Sequence, residues 1–115
     1  MVLHLDQLLI SKRIYDMMLY AYPALAQFPK SEKHTLAAEI KRTMFEMQRL
    51  TIRANKERRK MAWLRQLDAS LELLRTQVRL SHELGFLPPK KYEVWSRHLA
   101  EIGRMLGGWI KSQRV

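Results

Sequence analysis

Apolar residues recur three and four apart in four stretches of the chain, the spacing that gathers them on one side of an α-helix. The first stretch, about residues 5–27, carries Ile10, Ile14, Met17 and Ala21 on one line and Tyr15, Met18, Tyr22 and Leu25 on the next. The second, about 31–54, reads Leu36, Ile40, Thr43, Met47, Leu50 and Ala54. Leu64, Leu67, Leu71, Leu74 and Val78 mark the third, about 58–84, and Tyr92, Trp95, Leu99, Ile102, Leu106 and Trp109 the fourth, about 90–112. Strand-type alternation persists nowhere. Pro29 disfavours helix at Phe28, and Ser31 is the expected N-cap of the second helix. Gly85 is expected to cap the third helix and Pro88-Pro89 to stop it, whereas the run Asn55–Lys60 reads equally as a turn or as continued helix. Pro23 is expected to bend the first helix without ending it, because the apolar spacing continues to Leu25. Short loops join antiparallel neighbours, so the pattern predicts an all-α fold, an antiparallel up-and-down four-helix bundle forming a single domain over residues 1–115.

Composition changes the picture through charge. Among 115 residues, 21 Lys and Arg face 11 Asp and Glu, a net charge of +10. Residues 1–30 hold +1, residues 31–60 hold +5, residues 61–89 hold 0 and residues 90–115 hold +4. Two segments therefore carry the excess, leaving open that they share a face. The usual partners of so basic a domain are nucleic acid, an anionic membrane surface or an acidic protein. There is no cysteine, which excludes a disulfide scaffold, a thiolate metal site and a thiol nucleophile. The longest uncharged run, Met17–Pro29, has 13 residues and two prolines, well short of the roughly 20 apolar residues of a membrane span. Asp6, Lys12 and Arg13 interrupt any leader-like pattern, and a cytoplasmic protein is expected.

Lys90, Arg97, Arg104 and Lys111 are spaced by seven and form one ridge on the fourth helix. Arg42, Arg49, Arg53 and Lys56 form a second on the second helix, continued by Arg58, Arg59 and Lys60 with only Glu57 between them. A solvated surface is the plain reading of either ridge alone; two ridges joined by a basic turn point to contacts with a phosphate backbone. Glu39 and Glu46, each three residues before an arginine, pair away part of that charge. Phe45 and Ile52 lie opposite the second helix's seam, and the first helix, with Ile10, Ile14 and Met17, is apolar over more than one face. Such a surplus predicts a subunit or partner interface. Gly103 and Gly107, with Gly108 adjacent, sit beside the fourth seam and are expected to allow close helix packing, since glycine costs about 1 kcal/mol in a helix. No strand precedes them and no Lys-Ser/Thr follows, so they are not a phosphate-binding loop.

Catalytic chemistry finds little footing. His4, His34, His82 and His98 are dispersed, and no metal-ligand spacing occurs. Asp68 and Glu72 share a face, but Arg75 and Arg79 follow them as ion-pair partners. An all-helical enzyme of the chorismate-mutase kind needs basic side chains pointing into the seam, and here they point away. No catalytic residue, no cofactor, no metal and no small-molecule substrate is expected.

Several stretches resemble a known family. They are Phe28-Pro29-Lys30 with Glu32-Lys33-His34-Thr35-Leu36, Arg79-Leu80 with Leu84-Gly85, Tyr92, and Glu101-Ile102-Gly103-Arg104-Met105-Leu106-Gly107-Gly108-Trp109-Ile110. Together they resemble the Avd family, the accessory variability determinants of diversity-generating retroelements. That family is related to the four-helix-bundle proteins encoded in intervening sequences of large-subunit ribosomal RNA genes. The ribosomal branch's Asn-Ile-Ala-Glu-Gly-like motif is missing, the second helix ending instead Thr51-Ile52-Arg53-Ala54-Asn55-Lys56, which favours the Avd branch. The resemblance implies a non-catalytic, ring-like homopentamer of basic four-helix bundles. It also implies binding to a reverse transcriptase and to template-repeat RNA and cDNA during mutagenic retrohoming. An interaction module whose charge meets only an acidic protein is the competing reading. Membrane-surface binding is the weakest, because each apolar stripe already has a bundle to join.

Overall fold

The computed structural model describes the backbone of residues 2–113 and the side chains of residues 9–113. It contains four α-helices, α1 (Val2–Ala26), α2 (Leu36–Lys56), α3 (Met61–Glu83) and α4 (Pro89–Ser112), with one 3-10 turn at Lys30–Glu32 and no strand among the described residues. Helix α1 packs on α2 and α4, and α3 packs on the same two; α1 and α3, like α2 and α4, make no close backbone approach among the described residues and stand on the diagonals. The expected bundle is therefore present, as a rod of 46 × 24 × 19 Å.

The core follows the predicted seams. Ile40, Met47, Ala54, Leu64, Leu67, Leu74, Val78, Trp95 and Ile102 are fully buried, and Leu71, Leu106 and Trp109 are 1% exposed. Met44 and Thr51 join them, the Thr51 hydroxyl donating to the Met47 carbonyl so that it is not buried unpaired. Pro23 lies inside α1, which runs on to Ala26.

Helix boundaries depart from expectation at two places. Ser31 does not cap α2: residues Lys30–Glu32 wind into the 3-10 turn, and Thr35 occupies the N-cap, its hydroxyl donating to Glu32 Oε1 at 2.9 Å. The segment after Asn55 is a turn, because α2 ends at Lys56 and Lys60 folds back on it. Lys60 Nζ donates to the carbonyls of Ala54 at 2.7 Å, Asn55 at 3.4 Å and Glu57 at 2.8 Å, satisfying acceptors that the helix end leaves open.

The α3–α4 connection closes as predicted. Gly85 has φ 83°, its N–H reaches the His82 carbonyl at 3.0 Å, and the Phe86 N–H reaches the Ser81 carbonyl at 2.9 Å. That bond pair needs a left-handed residue, which glycine adopts without a Cβ penalty.

Candidate nucleic-acid interface

The α2 ridge stands opposite the buried stripe, but most of its arginines are already engaged. Arg42 Nη2 lies 3.1 Å from Glu39 Oε1, Arg49 Nε 2.8 Å from Glu46 Oε1, and Arg53 Nε 3.5 Å from Glu57 Oε1. Arg53 also places its guanidinium over the Trp63 ring. On α4, Glu93 pairs with both Lys90 and Arg97, and Glu101 with Arg104. Exposed pairs of this kind add little stability, about 0.3–0.5 kcal/mol each. Their effect on the site is larger, since each neutralises most of the local field.

Several cations without an ion pair among the described residues lie elsewhere, and the topology places four of them at one end of the bundle. Lys56 ends α2, Arg58 and Arg59 form the exposed α2–α3 turn, and Lys111 lies in the last turn of α4. In an up-and-down bundle the end of α2, the start of α3 and the end of α4 share one end of the rod, so these four residues lie at that end. Lys60, expected among them, is turned inward onto three carbonyls and belongs to the cap, not to the outward set. The opposite end carries Lys30, Lys33 and Lys91, none of them in an ion pair among the described residues and none anticipated as site residues. A signal for them exists in the sequence: none has an acid three or four positions away.

The two ridges do not share a face. Because α2 and α4 are diagonal and both ridges oppose the core, they point in opposite directions across the bundle. Helices adjacent in the square, not merely both basic, would have been required.

The expected subunit surface divides. Phe45 is 46% exposed and Ile52 50% exposed, as their position opposite the seam predicts. Ile10, Ile14 and Met17 are fully buried instead and cannot meet a partner. Their line faces inward because it continues through Ala21 and Leu25, also buried, so α1 spends this stripe on its own core. The exposed apolar residues of α1 include Tyr15, Leu19 and Tyr22. They border the α1–α2 seam, where Ser11 Oγ donates to Gln48 Oε1 at 3.2 Å and Lys41 Nζ sits 4.7 Å from the Tyr22 ring centre. Phe45 and Ile52 flank the same seam from α2, giving one apolar face over both helices.

The glycines divide too. A Cβ on Gly103 would collide with Arg75 Nη2 and lie 3.6 Å from Leu71 Cδ2, so this glycine does make room for α3, as a seat for a guanidinium. Gly107 has nothing within 4 Å of where a Cβ would stand, so the packing role expected for it is not found within the protomer. Beside Gly103, the α3–α4 groove of about 590 Å³ is bordered by Glu72, Arg75, Arg79 and Glu83. Arg75 pairs with Glu72 and Arg79 with Glu83, which leaves the groove electroneutral.

No group of three or more His, Asp or Glu side chains that could hold a metal ion occurs among the described residues. No described helix is long and apolar enough to cross a membrane. The arrangement is one of surfaces: an apolar side, two cationic ends and paired ridges between them. No curated protein matches the chain. A family model does, over residues 8–113, which takes in most of α1, the other three helices and both cationic ends. The chain thus belongs to the bAvd-like family, a family of non-catalytic accessory proteins.

Proposed function

We propose that the protein serves a diversity-generating retroelement as a basic accessory subunit that holds nucleic acid by its phosphates while partnering the reverse transcriptase. The observation that carries this reading is the group of Lys56, Arg58, Arg59 and Lys111, without ion pairs among the described residues, at one end of a bAvd-like bundle. Phosphates are met by cations whose charge is not already spent, and Arg and Lys on a turn position a strand without reading its bases. Template RNA and cDNA are the polyanions that the family context supplies, and their selection falls to the polymerase and to RNA shape. The apolar α1–α2 face is the surface assigned to association between copies, in the homopentameric ring that the resemblance implies. The protein acts in the cytoplasm, with the polymerase.

Reversing Arg58 and Arg59 to Glu is expected to weaken binding to unrelated RNA and DNA alike. It should also flatten the dependence of log K on log salt by about 0.7–0.9 for each phosphate no longer neutralised. Reversing Arg42 and Arg49, already paired, is expected to have the smaller effect. Unchanged affinity and slope in the Arg58/Arg59 variant would remove the nucleic-acid role and leave the interaction-module reading.

A further inference from the structure

On the α1–α4 side of the bundle, away from the cationic ends, Arg13, Val94, Arg97, His98 and Glu101 line a concavity of about 230 Å³. We propose that this concavity is a phosphate-binding subsite, taking a phosphodiester of the strand held under the reading above, with Arg13 as its principal cation. The inference rests on that reading for its ligand and on the local geometry for its place. The volume is below that of a small-molecule pocket, commonly 300–1,000 Å³. It suits one phosphate group with a few waters, each occupying about 30 Å³ in the liquid.

The charges decide what can enter. Glu101 already accepts from Arg104 Nε at 3.0 Å, and Arg97 is paired with Glu93. Asp16, the other nearby carboxylate, is taken by Lys12 at 2.6 Å. Arg13 has no direct ion pair among the described residues, its charge acting on Glu101, already bonded to Arg104, only at longer range, so it is the cation at the mouth open to a direct partner. His98 supplies a ring donor held in place against Tyr20, the ring centres 5.5 Å apart. Burial pushes the His98 imidazole below its ordinary pKa, Asp16 pulls it up and Arg13 pushes it further down. The groups facing this imidazole are therefore Arg13, Asp16 and Tyr20 from α1 and Arg97 and Glu101 from α4, and no anion among them is free of a cation. An entering phosphate would reverse the balance. It favours the charged imidazole, so anion binding and His98 protonation strengthen each other.

Two measurements test this. The first follows the His98 ring resonances by NMR against pH, in chloride and in inorganic phosphate at matched ionic strength. Phosphate is expected to raise the His98 pKa by about one unit in the parent, as a nearby opposite charge does, and not in Arg13→Gln. The second measures binding of a short oligoribonucleotide, whose phosphodiesters stay singly charged across the histidine range. Arg13→Gln is expected to weaken it about tenfold, as loss of a charged hydrogen bond does, and to lower the salt slope by about 0.7–0.9. Arg13→Lys should keep most of the affinity. Parent affinity should rise as pH falls through the histidine range, and His98→Gln should abolish that rise. A His98 pKa that neither probe moves would overturn the subsite, as would parent-like affinity and slope in Arg13→Gln. If phosphate shifts His98 while the oligonucleotide fails to bind, the anion site stands and the nucleic-acid reading falls.

Discussion

The Arg53 guanidinium carbon lies 4.7 Å from the centre of the Trp63 ring, so an outward-facing arginine of α2 also closes the α2–α3 seam. Position opposite the core does not make a side chain structurally idle. Arg53 is tied twice, to Trp63 and to Glu57, while Arg49 is tied only to an exposed carboxylate. A double-mutant cycle on Arg53→Ala and Trp63→Ala should return a coupling of about 0.5–1 kcal/mol. Coupling indistinguishable from zero would show the stacking to be incidental. Arg49→Glu should unfold at the parent's temperature.

Gly107 stands in open space, whereas Gly103 lies under the tip of the Arg75 side chain. With open space where its Cβ would stand, Gly107→Ala should stabilise the protomer by up to about 1 kcal/mol, the helix-propensity difference. Thermal melting checks this. A variant that melts lower, or assembles differently, would place this face of α4 against another copy. Gly103→Ala should cost little, because only the tip of Arg75 must move aside.

Ile14 belongs to the core. Ile14→Ala should cost about 2–5 kcal/mol in chemical denaturation, the range for emptying a buried aliphatic site. Loss of assembly at full stability would return Ile14 to an interface.

Tyr15 and Phe45 make the opposite prediction. Replacing both with Glu should leave the far-UV spectrum unchanged and shift sedimentation toward the protomer, because charge is placed on the proposed association face. A parent that sediments as a monomer at micromolar concentration would remove the self-association claim altogether.

Stability should fall with acidification through His98. Its pKa is lower in the folded chain than the ordinary 6.5, so the unfolded state binds the proton more readily. The contribution is complete above the unfolded value and is lost as pH falls toward the folded one. Melting temperatures from pH 7.5 to 5.5 should decline, less steeply in His98→Gln. Parallel declines in parent and variant would assign the effect to other groups.

The helices and their buried faces are legible in the sequence because period and burial are the same information: Ile40, Leu67 and Trp95 face inward wherever the seam places them. What escapes such a reading is relational. Whether Arg49 and Arg97 share a face depends on which helices are neighbours, and a helical wheel drawn for one helix carries no such knowledge. Lys60 reads as part of a basic run, yet its ammonium lies among the carbonyls of Ala54, Asn55 and Glu57. Ile10, Ile14 and Met17 read as outward because α1 is apolar over a wide arc, and only packing tells which edge of that arc is spare. Arg13 carries no motif at all; its importance comes from Lys12 occupying Asp16.

The uneven placing of charge along the 46 Å rod also governs how protomers can grow together. With the unpaired cations denser at the two ends than between them, two rods repel when stacked tip to tip and meet less resistance flank to flank. Lateral growth leaves all poles on the two rims of the assembly, whereas axial growth would bury them against each other and make a filament. Charge alone therefore disfavours tip-to-tip stacking, before any shape complementarity acts. The barrier is electrostatic, so it should dissolve near 1 M salt, where the screening length drops to about 3 Å. Small-angle scattering would then register longer particles.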